Sequence, residues 1–155
     1  MISNSSPWSN RGCQRPECLI CINQPGCCLK SNITYSITCI HCALAGNKSV
    51  YIGESHRTLF DRQQEHIQAL ATSNTNYAVV RHHQEQHEGL EPNYSFRFMK
   101  QHKTSLERQI SEGLLIESTE ADFILNSKGE WGCNSIPRGN YSSETGNTGF
   151  SCFLM

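Results

Sequence analysis

The chain contains no apolar run approaching the roughly eighteen residues that a membrane-spanning helix requires. Neither sign of charge dominates: thirteen Lys and Arg stand against fourteen Asp and Glu, a formal net charge of −1. No broad positive field therefore gathers nucleic acid, and any DNA contact has to be local. The first residues, Met1 to Trp8, carry neither the basic stretch nor the apolar stretch of an export signal. The expectation is an intracellular protein, nuclear or cytoplasmic, whose thiols stay reduced. With 155 residues there is room for one domain and flanking segments, not for two full domains. No repeat of solenoid period is visible.

Cysteine, by contrast, is abundant: nine residues, with seven histidines beside them. An odd number at short spacings disfavours a fully paired disulfide set and points to zinc. The first group is Cys13-x4-Cys18-x2-Cys21-x5-Cys27, with Cys28 as a spare or substitute. So short a loop has no core of its own and needs a metal to order it. Its expected role is structural, with Arg11 or Arg15 offering a DNA contact. The second group joins Cys39-x2-Cys42 to His83-x3-His87. Two thiolates bracket one tight turn, and imidazoles four apart share a helix face, which is ligand spacing for a tetrahedral zinc. His82 is an alternative to His83. Cys133 has no obvious partner.

The organisation expected is a disordered lead-in over 1–12, a Cys-rich zinc knuckle over 13–32, a folded domain over 33–130 and a disordered tail over 131–155. Residues 33–39 alternate apolar and polar, the pattern of a half-buried strand, and 49–53 read as its hairpin partner across an enlarged loop. Ser55 or Thr58 can cap a helix running to about Ala71, and a second helix is expected from about Asn76 to Glu88. Residues 94–99 supply a third strand. Thr104-Ser105-Leu106-Glu107 is a capping box opening a helix to about Ser118, in which Leu106, Ile110 and Leu114 recur every four residues. The fold class is therefore α/β or α+β: a short, mostly antiparallel three-stranded sheet flanked by helices.

Five pieces occur in order: Ile33-Thr34-Tyr35, Tyr51-Ile52-Gly53, Arg62-x3-His66, Glu112 and Asn126. Together they resemble the signature of the GIY-YIG endonucleases over roughly residues 33–130. Ile33 and Thr34 stand where the family name has Gly and Ile, so only Tyr35 keeps the functional position of the first motif. The Cys-x2-Cys between the two name motifs and the downstream histidines are similar to the zinc-containing endonuclease domain of Penelope-like retroelements. That resemblance implies a metal-dependent enzyme that nicks DNA, with a reverse transcriptase as partner in the parent element. It also makes Glu112 the ligand of a catalytic Mg²⁺ or Mn²⁺ and gives Asn126 a supporting place near the site.

The residues themselves suit that chemistry. Phosphodiester hydrolysis needs a base for water, positive charge on the developing pentacoordinate phosphate, and a metal or acid for the leaving oxygen. Tyr35 and Tyr51 would lie on adjacent strands, and a phenol acts as base only where cations lower its pKa. Arg62 is the cation, and His66, one turn on, can hydrogen-bond the phosphate or the attacking water. One carboxylate with several waters fits Mg²⁺. Gly53 would let the strand approach substrate, and Arg57 would meet a phosphate at the start of the helix.

Two rival readings share the fold: a zinc-dependent nucleic-acid-binding module that does not cleave, and a structure-selective DNA-repair nuclease. The last four residues, Cys152-Phe153-Leu154-Met155, fit a prenylation box but lack a polybasic run or second lipid signal. No membrane partner is expected unless Cys152 is prenylated.

Overall fold

β-branched and aromatic residues build three strands in the computed structural model, which describes residues 12–126. They are β1 (Ile33–Cys39), β2 (Val50–Ser55) and β3 (Tyr94–Gln101). β1 lies between the others and runs antiparallel to both, giving the order β2-β1-β3. The expected small α+β architecture is what the chain forms. The expected lead-in before Gly12 and the tail, together with Arg11, Cys133 and Cys152, lie outside the described residues.

The hairpin loop between β1 and β2 is enlarged by a short helix, α1 (Ile40–Leu44). Helix α2 (Leu59–Ala71) is capped by Thr58, whose hydroxyl accepts from Asp61 N at 3.1 Å. Ser55, the alternative cap, accepts instead from Arg57 N at 3.0 Å. Helix α3 (Ala78–Gln86) is shorter than expected at both ends. Helix α4 (Ser105–Ser118) opens on the predicted capping box: Thr104 accepts from Glu107 N at 3.1 Å, and Glu107 reaches back to Lys103 N at 2.9 Å.

β1 is not half-buried but buried on both faces, from Ile33 through Ile37. On the face of Tyr35 and Ile37 lies α2, which places His66 against Tyr35. On the face of Thr34 and Ser36 lies α4, through a polar layer. Arg108 pairs with Glu54 and donates to Asn32 Oδ1 at 3.2 Å, and Thr34 bonds His102 Nε2 at 3.2 Å. These partners satisfy polar groups that the alternating pattern had assigned to solvent. Leu106, Ile110 and Leu114 remain 51%, 43% and 47% exposed, because α4 turns Arg108 and Ile116 inward instead.

Side-chain amides close both free sheet edges, where bare strands would invite further pairing. Gln24 accepts from Phe98 N at 2.7 Å and donates to Phe98 O at 3.0 Å. On the opposite edge Asn126 accepts from Ile52 N at 2.9 Å and donates to Ile52 O at 2.7 Å. The segment before it runs along β2, with Leu125 N on Val50 O at 2.8 Å.

The Cys-rich segment is built into this domain. Ile20 and Cys28 are fully buried in the common core. Gln63 of α2, also fully buried, donates to Glu17 O at 2.7 Å and accepts from Leu19 N at 2.9 Å. Arg15, offered above as a DNA contact, lies over the Phe60 ring at 4.2 Å.

Candidate functional site

Pairing puts Tyr35 opposite Gly53 and Ile37 opposite Tyr51, so the two tyrosines share one sheet face, their ring centroids 6.4 Å apart. Helix α2 then lays Arg62 and His66, one turn apart, over that face. Arg62 Nε donates to Tyr35 Oη at 3.2 Å, and His66 Nε2 lies 3.1 Å from the same oxygen. The His66 ring centroid is 5.5 Å from that of Tyr51. A cleft of about 240 Å³ opens beside them, lined by Tyr51, Arg62, His66, Asn76, Tyr77 and Ala78. Glu112 is half-buried on α4, and its negative charge acts on Tyr35. Four residues that the sequence separates by up to thirty-one positions thus meet at one place.

Several roles differ from expectation. Tyr35 is fully buried, and burial pushes its phenol up to about 12 against the lowering influence of Arg62. It therefore stays protonated and positions its neighbours, while Tyr51, half-buried on the cleft wall, is the phenol within reach of a ligand. His66 is 1% exposed, and burial, then the charge of Arg62, pushes it down to about 3. A neutral imidazole with one nitrogen on Tyr35 is a hydrogen-bonding group, not a strong base. Arg57 pairs with Glu65, and so does Arg62, so one carboxylate holds both cations. Asn126 clamps the backbone of Ile52, between Tyr51 and Gly53.

Gly53 serves packing and not substrate approach. A Cβ at this position would lie 2.5 Å from Tyr35 Cζ and 2.6 Å from Tyr35 Oη, so the ring occupies the space a side chain would take. Gly53→Ala is expected to cost about 2–3 kcal/mol through overpacking, read as a lower urea midpoint at unchanged slope. Unaltered stability would show that the ring has somewhere else to go.

The depressed pKa of His66 makes stability pH-dependent. A folded-state value near 3 against 6.5 for the free side chain means that the unfolded chain binds the extra proton first. The contribution is complete above pH 6.5 and is lost as pH falls toward 3, by up to about 1.4 kcal/mol per pH unit. His66→Gln should therefore flatten the acid limb of stability measured from pH 7.5 to 4.5. An identical acid limb would contradict the burial argument.

Two groups of metal-ligating side chains stand apart from the cleft, each with its donor atoms within 4.8 Å of one another. All seven cysteines between 13 and 42 are free thiols. The first group is Cys39, Cys42, His82 and His87, in which Cys42 Sγ lies 3.3 Å from His82 Nε2 and 3.2 Å from His87 Nε2, and Cys39 Sγ 3.3 Å from His87 Nε2. A tetrahedral zinc with these donors has edges of about 3.5 Å, so the set can hold a structural zinc ion. His82 replaces the expected His83. Helix α3 ends at Gln86, and His87 has left helical geometry at φ −137° and ψ 29°, so the rule that residues four apart share a face no longer applies. His83 Nε2 instead meets Leu90 O at 3.0 Å. Zinc content should accordingly fall by about one ion per chain in His82→Ala and stay unchanged in His83→Ala.

The second group is Cys13, Cys18, Cys21 and Cys28. Cys28 replaces the expected Cys27: Gly26, at φ +80°, opens a 3-10 turn over Cys27–Leu29 that buries Cys28 and sets its sulfur 3.4 Å from Cys21 Sγ. Burial pushes the Cys21 thiol up, but hydrogen bonds from the backbone of Cys13 and Gly26 and from Cys28 outweigh it and bring it down to about 6. This set too can hold zinc. Gly12 lies so close that a Cβ there would be 2.8 Å from Cys21 Cβ.

No protein-family model, no curated protein and no solved structure matches this chain. Sequence reasoning missed Asn76 and Tyr77 as cleft walls, since nothing local marks them. Glu65 was within its reach, being three residues after Arg62 on one helix.

Proposed function

We propose that the cleft beside Tyr51, Arg62 and His66 hydrolyses phosphodiester bonds in DNA, nicking one strand, in the manner of the GIY-YIG endonucleases that the sequence resembles. The observation that supports this most is the meeting of Tyr35, Tyr51, Arg62 and His66 in one bonded cluster beside an open cleft, with Glu112 near enough to act on it. A packing cluster has no need of an arginine at its centre. Arg62 faces the phosphate and stabilises the charge that develops on it. Tyr35, held by Arg62 and His66, fixes both side chains, and Tyr51 presents its hydroxyl to the attacking water or the phosphate. Glu112 is the carboxylate that would hold Mg²⁺ or Mn²⁺, whose positive charge assists departure of the leaving oxygen. The two Cys and Cys/His centres would carry zinc and act structurally. The parent protein would be a retroelement of Penelope-like type, with a reverse transcriptase as companion domain, or a copy that has lost it.

A second reading, a zinc-dependent binding module without cleavage, draws support from Glu65, which pairs with both Arg57 and Arg62 and offsets one of their two charges. Zinc-loaded protein incubated with end-labelled duplex, nicked and branched DNA in Mg²⁺ or Mn²⁺ separates the two. Cut strands bear out the nuclease; retarded but intact DNA on every substrate favours the binding module. A preference for the branched substrate would move the biological role toward repair.

A further inference from the structure

Helix α4 carries its apolar repeat on the side away from its own domain. Arg108 and Ile116 turn inward, while Leu106, Ile110 and Leu114, neighbours at four-residue spacing, lie exposed along the outer surface. A helix ordinarily turns such a stripe toward a core. Gly113 stands beside it, and a Cβ there would meet nothing within 4 Å. Glycine inside a helix costs about 0.5–1 kcal/mol relative to alanine, and no packing contact among the described residues requires it at this position. What it does provide is room for the backbone of another element to come close.

Charge tells what that element is. Lys103 stands just before the N-cap Thr104, Glu117 lies in the last turn, and both are exposed. Each has the sign that its own helix disfavours, since the N-terminus carries partial positive charge and the C-terminus partial negative charge. Lys103, Leu106, Ile110, Leu114 and Glu117 are spaced 3, 4, 4 and 3 residues apart, the same read from either end. An antiparallel copy, turned about a two-fold axis at Ile110, therefore sets Leu106 against Leu114, Ile110 against Ile110 and Lys103 against Glu117. Each cation then lies at the negative end of the other helix and each carboxylate at the positive end. A parallel copy would set lysine on lysine and glutamate on glutamate.

We propose that the outer face of α4 is a homodimer interface, in which two copies of the chain pair their α4 helices antiparallel about Ile110. A seam made by one helix from each copy belongs with interfaces under ~1,200 Å², so the dimer is a weak one that forms as concentration rises. The inference stands on α4 alone and is independent of the chemistry of the cleft.

The test is sedimentation equilibrium of the zinc-loaded full chain from about 5 to 500 µM, the range in which weak complexes form. Wild type should pass from monomer to dimer and no further, since a two-fold seam closes on itself. Lys103→Glu and Glu117→Lys each turn two attractive pairs per dimer into repulsive ones, and each should weaken association about tenfold. Combined in one chain, they restore opposite charges across the axis and should recover the wild-type affinity. Ile110→Glu, which brings two carboxylates together on the axis, should stay monomeric. All three positions are exposed, and both charge changes favour the dipole of their own helix, so zinc content and melting temperature should not fall. Wild type that is monomeric at every concentration overturns the proposal. So does association that ignores Ile110→Glu or the single charge changes, or a double variant no tighter than the single ones.

Discussion

Removing metal from protein loaded with zinc at both centres should unfold the domain. Cys39 and Cys42 bracket the end of β1 and the start of α1, His82 lies in the middle of α3 and His87 at its C-cap, and the thiols of Cys18 and Cys28 lie in the common core. Structural zinc contributes about 10–16 kcal/mol in small domains, as much as the whole stability of a domain, about 5–15 kcal/mol. Protein carrying about two zinc ions per chain should therefore melt cooperatively, and a strong chelator should abolish the transition in far-ultraviolet circular dichroism. Cys39→Ser should do nearly the same without chelator. Cys27→Ser, which spares both ligand groups, should leave zinc content and melting unchanged. A cooperative melt that survives full removal of metal would mean that the core holds these segments unaided.

Loss of cleavage in Arg62→Ala is the second large effect expected. The guanidinium is the positive group on the cleft wall, held by Tyr35 and Glu65 in a partly buried setting where its charge is poorly screened. Removing a donor that faces developing charge costs about 10²–10³ in rate, and Arg62→Lys should recover only part of it, because the ammonium lacks the planar fork that reaches Tyr35 and a phosphate together. Glu112→Gln should give a comparable loss that added Mg²⁺ does not rescue. Tyr35→Phe should be milder, since that phenol positions its neighbours without touching substrate. Rates within twofold of wild type in Arg62→Ala would remove the arginine from the mechanism.

What could be read from the sequence was the local part. The strands followed from alternation at 33–39 and 94–99, and the helix starts from Thr58 and Thr104, because caps and pleats depend on neighbours a few residues away. Cys39 and Cys42 were legible for the same reason. The choice between His82 and His83 was not, since it turns on α3 ending at Gln86 before the Gly89 turn at φ +82°. Cys27 and Cys28 are likewise separated only by the turn that Gly26 permits. Nor could Tyr35 and His66 be recognised as buried, or Gln24 and Gln63 as clamps, because their partners lie tens of residues away and sequence period carries no trace of them. The two-sided burial of β1 depends on α4 presenting Arg108 inward, against its own apolar repeat.

Nicking of supercoiled plasmid by the zinc-loaded chain in Mg²⁺, with Arg62→Ala alongside at matched zinc content and melting temperature, tests the central claim most directly. The expected result is conversion to open circles by wild type and a loss of about 10²-fold or more in the variant. Intact plasmid with both proteins, or equal nicking by both, would contradict it.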